Sequence, residues 1–275
     1  MSYRMLLEKS RSPFFLICEH ASNYMPEKYN DLGLDKQSLK RHMAYDIGAE
    51  DVTVCLSEKL EAAAILGTVS RLVVDINRPL DHPTLMTEKS EDVQIPGNKN
   101  ISQAEFTERI ETYYYPFHEK VKECVDQHID AGQIPFCVNI HSYTPVFMGE
   151  KRPWHIGFLW AQDSRPVGPM KAFFEDKDYI VGDNQPYNAR CLGGTTLNKH
   201  CDDRRLPSLL VEIRQDLIDT PEKAQLWADM LFDTLSQLDA SYFSHYRGPL
   251  KTFDPEESLS YFDNLAADII GDSAA

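Results

Sequence analysis

"FFLICEHASN", Phe14 to Asn23, opens with five apolar or near-apolar residues and turns polar at Glu19 and His20. A short run of this kind has the reach of a strand buried on both faces, as in parallel sheets covered by helices. It ends in a carboxylate beside an imidazole. The same shape recurs along the chain. "RLVVDIN" (71–77), "FCVNIH" (136–141), "HIGFLW" (155–160) and "SLLVEI" (208–213) read as further strands. "AAILGT" (63–68) reads either as a sixth or as the end of the helix before it. Helical periodicity fills 48–62, 103–130 and 221–240. Ser102 with Glu105 forms a capping box for the second of these, and Thr220 with Pro221 caps the third. Pro116 predicts a kink in the second. Strands alternating with helices specify an α/β sheet covered on both faces.

Length and charge narrow the function classes. The chain has 275 residues, with 42% hydrophobic and 26% charged, the balance of an ordinary globular protein. No internal repeat or linker divides it. One domain is expected over 1–250, followed by an acidic tail over 251–275. No apolar run is long enough to span a membrane and no signal core opens the chain, so a cytoplasmic location is expected. Six cysteines without a C-x-x-C pair read as buried free thiols. The net charge of −15, from 43 acids and 28 bases, with no basic cluster, argues against nucleic acid as a partner. An anionic ligand would need arginines supplied locally. Neither a G-x-S-x-G nucleophile nor a phosphate-binding glycine loop is present.

What remains is the polar residues at strand ends, where open α/β sheets bind ligands. After Glu19 and His20 come Asp75, Asn77 and Arg78; then Asn139, His141 and Ser142; then Glu212, Arg214 and Asp216. Period-two alternation puts Asp75 with Asn77, Asn139 with His141, and Glu212 with Arg214 on shared faces. Unpaired buried charge costs several kcal/mol per group, so these residues require partners. A divalent metal, zinc above all, suits imidazoles with a carboxylate or amide oxygen. His20 and His141 are therefore candidate ligands, whereas His42, His82, His118, His128 and His245 read as structural. Plainer readings stand beside these: an Asp75–Arg78 turn before Pro79, a Glu212–Arg214 ion pair, and an ordinary turn at "GDNQPYN".

Several stretches in order, "CEHASNYMPE", "HMAYDIGAED", "SRLVVDINRPLDHP", "IHSYTPVFMGEKRPWHIGFLW", "GDNQPYN", "GGTTLNKH" and "LPSLLVEIRQDLI", resemble the N-formylglutamate amidohydrolase family over residues 12–220. More distantly the pattern is similar to the zinc carboxypeptidase and aspartoacylase group. The resemblance implies a three-layer α/β/α fold with a mixed central sheet, of the phosphorylase/hydrolase-like kind. It implies a metal-dependent amidohydrolase cleaving a small anionic N-acyl amino acid, N-formyl-L-glutamate foremost, to glutamate and formate at the last step of a histidine-degradation route. Zinc is the expected cofactor, with cobalt as a substitute. His20 and His141 fall on ligand positions, Glu212 on the general base, Arg71 on the oxyanion stabiliser, and Asn77 and Arg78 on the substrate-carboxylate site. Arg214, Arg152 or the loop of Asp183 and Asn184 is left for the second carboxylate, and His200 for a supporting contact. The group's His-x-x-Glu reads Asn23 at its last place, so the third ligand lies among Asp46, Glu19 and Asn23, with Asp46 preferred. Alternatives are a deacylase or peptidase for another acyl group, and a metal-free binding protein on the same fold.

Overall fold

The computed structural model describes residues 1–190 and 196–238. Seven strands form one sheet: β1 (Tyr3–Leu6), β2 (Phe14–Cys18), β3 (Ala63–Gly67), β4 (Phe136–Tyr143), β5 (Ile156–Leu159), β6 (Val181–Asp183) and β7 (Ser208–Arg214). Their order is β1-β3-β2-β4-β7-β5-β6. β3, β2, β4 and β7 run parallel, β1 is antiparallel to β3, and β5 is antiparallel to β7 with β6 parallel to it. The helices are α1 (Ala49–Leu60), α2 (Gln103–Arg109), α3 (Tyr115–Asp130), α4 (Val167–Glu175), α5 (Thr196–His200) and α6 (Pro221–Leu235). No helix among the described residues is long and apolar enough to cross a membrane.

Alternation along the strands builds two cores. Leu16, Ile140 and Val211 pack on one face with Leu56 of α1, Phe174 of α4 and Trp227 of α6. Phe15, Ile17 and Cys137 pack on the other with Phe117 and Val121 of α3. Helices cover both faces, giving three layers. The same alternation carried past the apolar residues points Asn139, His141 and Glu212 toward the α3 side. The parallel register then sets Glu212 beside His141. The strand ends are thereby wired together before any side-chain contact is considered.

The expected strand over 71–77 does not form. "RLVVDIN" is buried, yet it runs as consecutive turns between β3 and α2. Its apolar residues record burial, and its carbonyls at 72, 73 and 76 are met by side chains instead of a ladder. Asn98 Nδ2 donates to the Leu72 carbonyl at 2.9 Å, Arg109 Nη1 to the Val73 carbonyl at 3.0 Å, and His118 Nε2 faces the Ile76 carbonyl at 2.9 Å. "AAILGT" resolves as strand β3. Between α2 and α3, Ile110–Tyr114 form a π turn. The irregularity expected at Pro116 takes this form, because proline lacks the N–H for one helical bond and its ring crowds the carbonyl four residues back. Ser102 caps α2 as expected, accepting from the Glu105 amide at 3.2 Å, but the Glu105 carboxylate turns to Arg109 at 2.5 Å. Helix 221–240 is described to Leu235, and the tail, His245 and Cys191 lie outside the described residues.

Arg109 is fully buried, and besides Val73 and Glu105 it reaches Asn98 Oδ1 at 2.7 Å and the Gly97 carbonyl at 3.3 Å. Replacing it with leucine strands those acceptors. Arg109→Leu is expected to lose about 3–5 kcal/mol in urea unfolding, the scale of a broken buried polar network.

Candidate active site

His20 lies two residues past the end of β2, and the chain then loops away until Asp46 returns to it. The Asp46 amide donates to the His20 carbonyl at 2.9 Å, which fixes that return. Gly48 two residues on has φ +78°, and a Cβ there would lie 2.0 Å from the Ile218 carbonyl oxygen, so only glycine admits the bend into α1. The next segment is tied in turn to this one: Ser70 Oγ and the Arg71 amide both donate to the Ala44 carbonyl, at 2.8 and 3.2 Å. Arg71, Asp75 and Asn77 are thus delivered to the strand ends by a braced loop, where a strand was expected.

These segments meet in a buried charge cluster. Asp46 Oδ2 lies 3.4 Å from His20 Nδ1 and 2.7 Å from His141 Nδ1. Each ring is backed on its other nitrogen by a carboxylate, His20 Nε2 by Asp75 Oδ1 at 2.8 Å and His141 Nε2 by Glu19 Oε2 at 3.1 Å. The two ring centroids are 5.0 Å apart. Asn139 Nδ2 holds the other Glu19 oxygen at 2.9 Å. Arg71 spans the acids, with Nη2 at 2.6 Å from Asp75 Oδ2 and Nη1 at 3.3 Å from Asp46 Oδ1. His20, Asp46, His141, Glu19 and Asp75 are each at most 4% exposed.

Burial alone would neutralise these groups, and their mutual charge overrides it. Burial opposes a proton on His141, but hydrogen bonds and charge from Asp46 and Glu19 raise its pKa well above the ordinary value. Burial and Arg71 likewise oppose charge on His20, and Asp75 and Asp46 outweigh them. Glu19, which burial would raise, is drawn down to about 2 by His141 and His20. Asp46 and Asp75 are lowered too, against burial, by the histidines and Arg71 respectively. The cluster is an environment that demands positive charge at its centre.

Glu212 stands apart from this pattern. Burial pushes its carboxyl up to about 7, with His141 pulling it down and Asp46 pushing it up, and its Oε2 is buried without a hydrogen-bond partner. The ion pair with Arg214 that the sequence allowed is absent: Arg214 Nε pairs with Asp216 at 2.8 Å. Glu212, His20, Asp46, His141, Arg71, Asn77 and Arg78 all line one cavity of about 260 Å³. Asn77 Nδ2 is 3.4 Å from His141 Nε2, and Arg78 Nε is 3.8 Å from Asp75 Oδ2.

Other candidates have different surroundings. Asp183 accepts from Trp160 Nε1 at 2.8 Å, Asn184 closes its turn on the Trp160 main chain, and neither they nor Arg214 line the cavity. Asn23 donates to the Leu39 carbonyl at 2.9 Å, which occupies its side chain in the loop. His200 is buried against His118. His118 and His128 make buried hydrogen bonds to main-chain carbonyls, whereas His42 lines the cavity. Two lining residues had no sequence signal of their own. Tyr187 follows the "GDNQP" turn and is held by Arg152 Nη1 at 3.0 Å, and Lys89 sits on a short hairpin at the mouth.

The chain is similar to proteins already known. The crystal structure of gene product Atu2144 from Agrobacterium tumefaciens is similar with a TM-score of 0.84 and 36% identity, over 89% of this chain and 96% of that one. N-formylglutamate amidohydrolase from Ralstonia eutropha JMP134 superposes with a TM-score of 0.67 over 88% of this chain and 97% of that one, and at 19% identity the likeness is one of fold. No curated protein matches. The family model of N-formylglutamate amidohydrolase matches residues 12–219, and the chain therefore belongs to that family of hydrolases.

Proposed function

We propose that the protein hydrolyses the amide bond of a small N-acyl amino acid, N-formyl-L-glutamate foremost, with a divalent metal held by His20, Asp46 and His141. One observation carries the reading: the Nδ1 atoms of two buried imidazoles face one Asp46 oxygen while a carboxylate backs each Nε2. Donor atoms of the three residues lie within 4.8 Å of one another, and His20 Nδ1 is buried with no hydrogen-bond partner. Two nitrogens and one oxygen form the donor set of a catalytic zinc site that keeps a position open. Carboxylates behind ligating histidines are the usual means of fixing ring orientation and tautomer. The residues present fit zinc, and cobalt would fit the same donors. When bound, such a cation supplies a Lewis acid and makes water acidic near neutral pH.

The chain's own residues then divide the remaining work. Glu212, raised to about 7, is poised to take a proton from the attacking water and return it to the leaving amine. Arg71 cannot serve freely as a carboxylate clamp, since Asp75 and Asp46 already hold it, and its place is beside the developing oxyanion. Asn77 and Arg78 orient the substrate's α-carboxylate. Lys89 has no carboxylate partner among the described residues and lines the mouth, which suits it to a side-chain carboxylate. A net charge of −15 makes that local cation necessary for a dianion. The products, glutamate and formate, are those of the last step of a histidine-degradation route.

Chain purified without a metal-affinity tag is expected to carry about one zinc, to stop releasing formate after chelation, and to recover with zinc or cobalt, whereas His20→Ala, His141→Ala and Asp46→Ala lose the metal. Elemental analysis paired with a formate assay reads this; absent metal together with no hydrolysis after zinc or cobalt addition would leave a binding protein. Glu212→Gln is expected to lower kcat by about 10²–10⁴-fold with metal content unchanged. Because the base acts ionised, kcat falls as pH drops through the Glu212 pKa, and a bound cation, favouring the carboxylate, moves that limb below the value of about 7. In a panel of formyl, acetyl and succinyl glutamate the formyl compound is turned over best, and a preference for the bulky acyl group overturns the substrate choice. Lys89→Met raises KM about tenfold for N-formyl-L-glutamate and leaves N-formyl-norleucine unchanged.

A further inference from the structure

Asn77 and Arg78 occupy irregular backbone whose amides donate to Asp75 within the segment, both at 3.0 Å, and whose flanking carbonyls are held from outside it. The carbonyls on either side of Asn77 both point at helix residues. His118 Nε2 lies 2.9 Å from the Ile76 carbonyl, and Tyr114 Oη donates to the Arg78 carbonyl at 3.0 Å. Tyr114 closes the π turn and His118 is four residues on, hence on the same helix face, with ring centroids 4.4 Å apart. Because a carbonyl accepts only from a donor, His118 carries its hydrogen on Nε2. Its Nδ1 is then an acceptor, 3.0 Å from His200 Nε2, which must donate. Two imidazoles in this contact cannot both be cations, and burial lowers the pKa of His118 to about 4 and of His200 to about 3.

The circuit closes on Asn77 itself. His200 ends α5, and the amide of Thr196, which begins α5, donates to Asn77 Oδ1 at 3.2 Å. That bond leaves Asn77 Nδ2 free to point toward His141. All three helix side chains are buried, and none of them lines the cavity.

We propose that Tyr114 and His118 are positioning residues that set the Asn77–Arg78 corner through its two flanking carbonyls, with His200 locking the His118 ring. The functional part rests on the substrate-binding role given to Asn77 and Arg78 above. Tyr114→Phe removes one hydroxyl and keeps the ring, His118→Leu removes the donor, and His118→Gln keeps an N–H. Tyr114→Phe and His118→Leu are expected to raise KM for N-formyl-L-glutamate about tenfold, the worth of one well-formed hydrogen bond, with kcat and bound zinc nearly unchanged. His118→Gln restores most of the loss, and on an Asn77→Ala background Tyr114→Phe adds nothing. A fall in kcat or melting temperature at unchanged KM marks a packing role and overturns the proposal. Tyr114→Phe carries the test should His118→Leu not fold. Crystal structures of both Tyr114→Phe and His118→Gln decide the positioning without turnover: the 76–78 main chain moves in the first and stays in the second, and an unmoved corner in Tyr114→Phe sinks it. A wild-type chain that hydrolyses no N-acyl amino acid refutes the reaction alone, and those structures still decide the corner.

Discussion

Two imidazoles can stand at the ends of adjacent parallel strands, out of water, only because acids meet them on both ring nitrogens. Asp46 faces both Nδ1 atoms, while Asp75 and Glu19 face the two Nε2 atoms. Three carboxylates around two neutral rings would be an excess of buried negative charge costing several kcal/mol per group. Arg71 offsets part of it, and protons on the histidines, or a divalent ion in their place, offset the rest. Were the proposed cation to bind, it would displace those protons, so its apparent affinity would rise as pH rises. The sheet serves this arrangement by holding β2, β4 and β7 in a register that ends their apolar runs at the same level.

The opposite wall of the cavity obeys a different rule. Between β3 and α2 the chain is buried without being regular, so each of its polar main-chain groups needs a specific partner. Asn98, Arg109 and His118 partner three of its carbonyls from 26, 36 and 42 positions further on. Such a wall is stiff without being a strand, and it turns corners a strand could not. It presents Arg71, Asp75, Asn77 and Arg78 to one cavity although period-two geometry would have sent neighbours to opposite faces.

The sequence was most legible where burial and geometry coincide. β2, β4, β5 and β7 lie within two residues of the apolar runs that announced them, since a doubly covered strand must be apolar throughout. "RLVVDIN" misled for the same reason: it carries the burial signal of a strand, while the partners that make it a turn are distant. β1 and β6, at four and three residues, were too short to leave a pattern. His20 and His141 could be singled out because polar residues break apolar runs conspicuously, whereas Asp46 came in only through the family resemblance. Asp183 and Asn184 drew notice through turn chemistry, which Asn184 indeed performs against Trp160, and the residue of that loop that faces the cavity is Tyr187. Lys89, an exposed lysine in a polar hairpin, looks like any other until the fold brings it to the cavity mouth.

Gly67, at the end of β3, lies on the far side of β2 from Glu212, yet a Cβ there would sit 2.0 Å from the main-chain oxygen of Glu19. The strand behind the cluster is in this way a template against which the Glu19–His20 peptide is pressed. Any side chain at 67 would push that peptide outward, tilting both the acid behind one ring and the other ring itself. The activity proposed for this chain is thus hostage to a hydrogen atom on a residue with no charge, no reactivity and no access to the cavity.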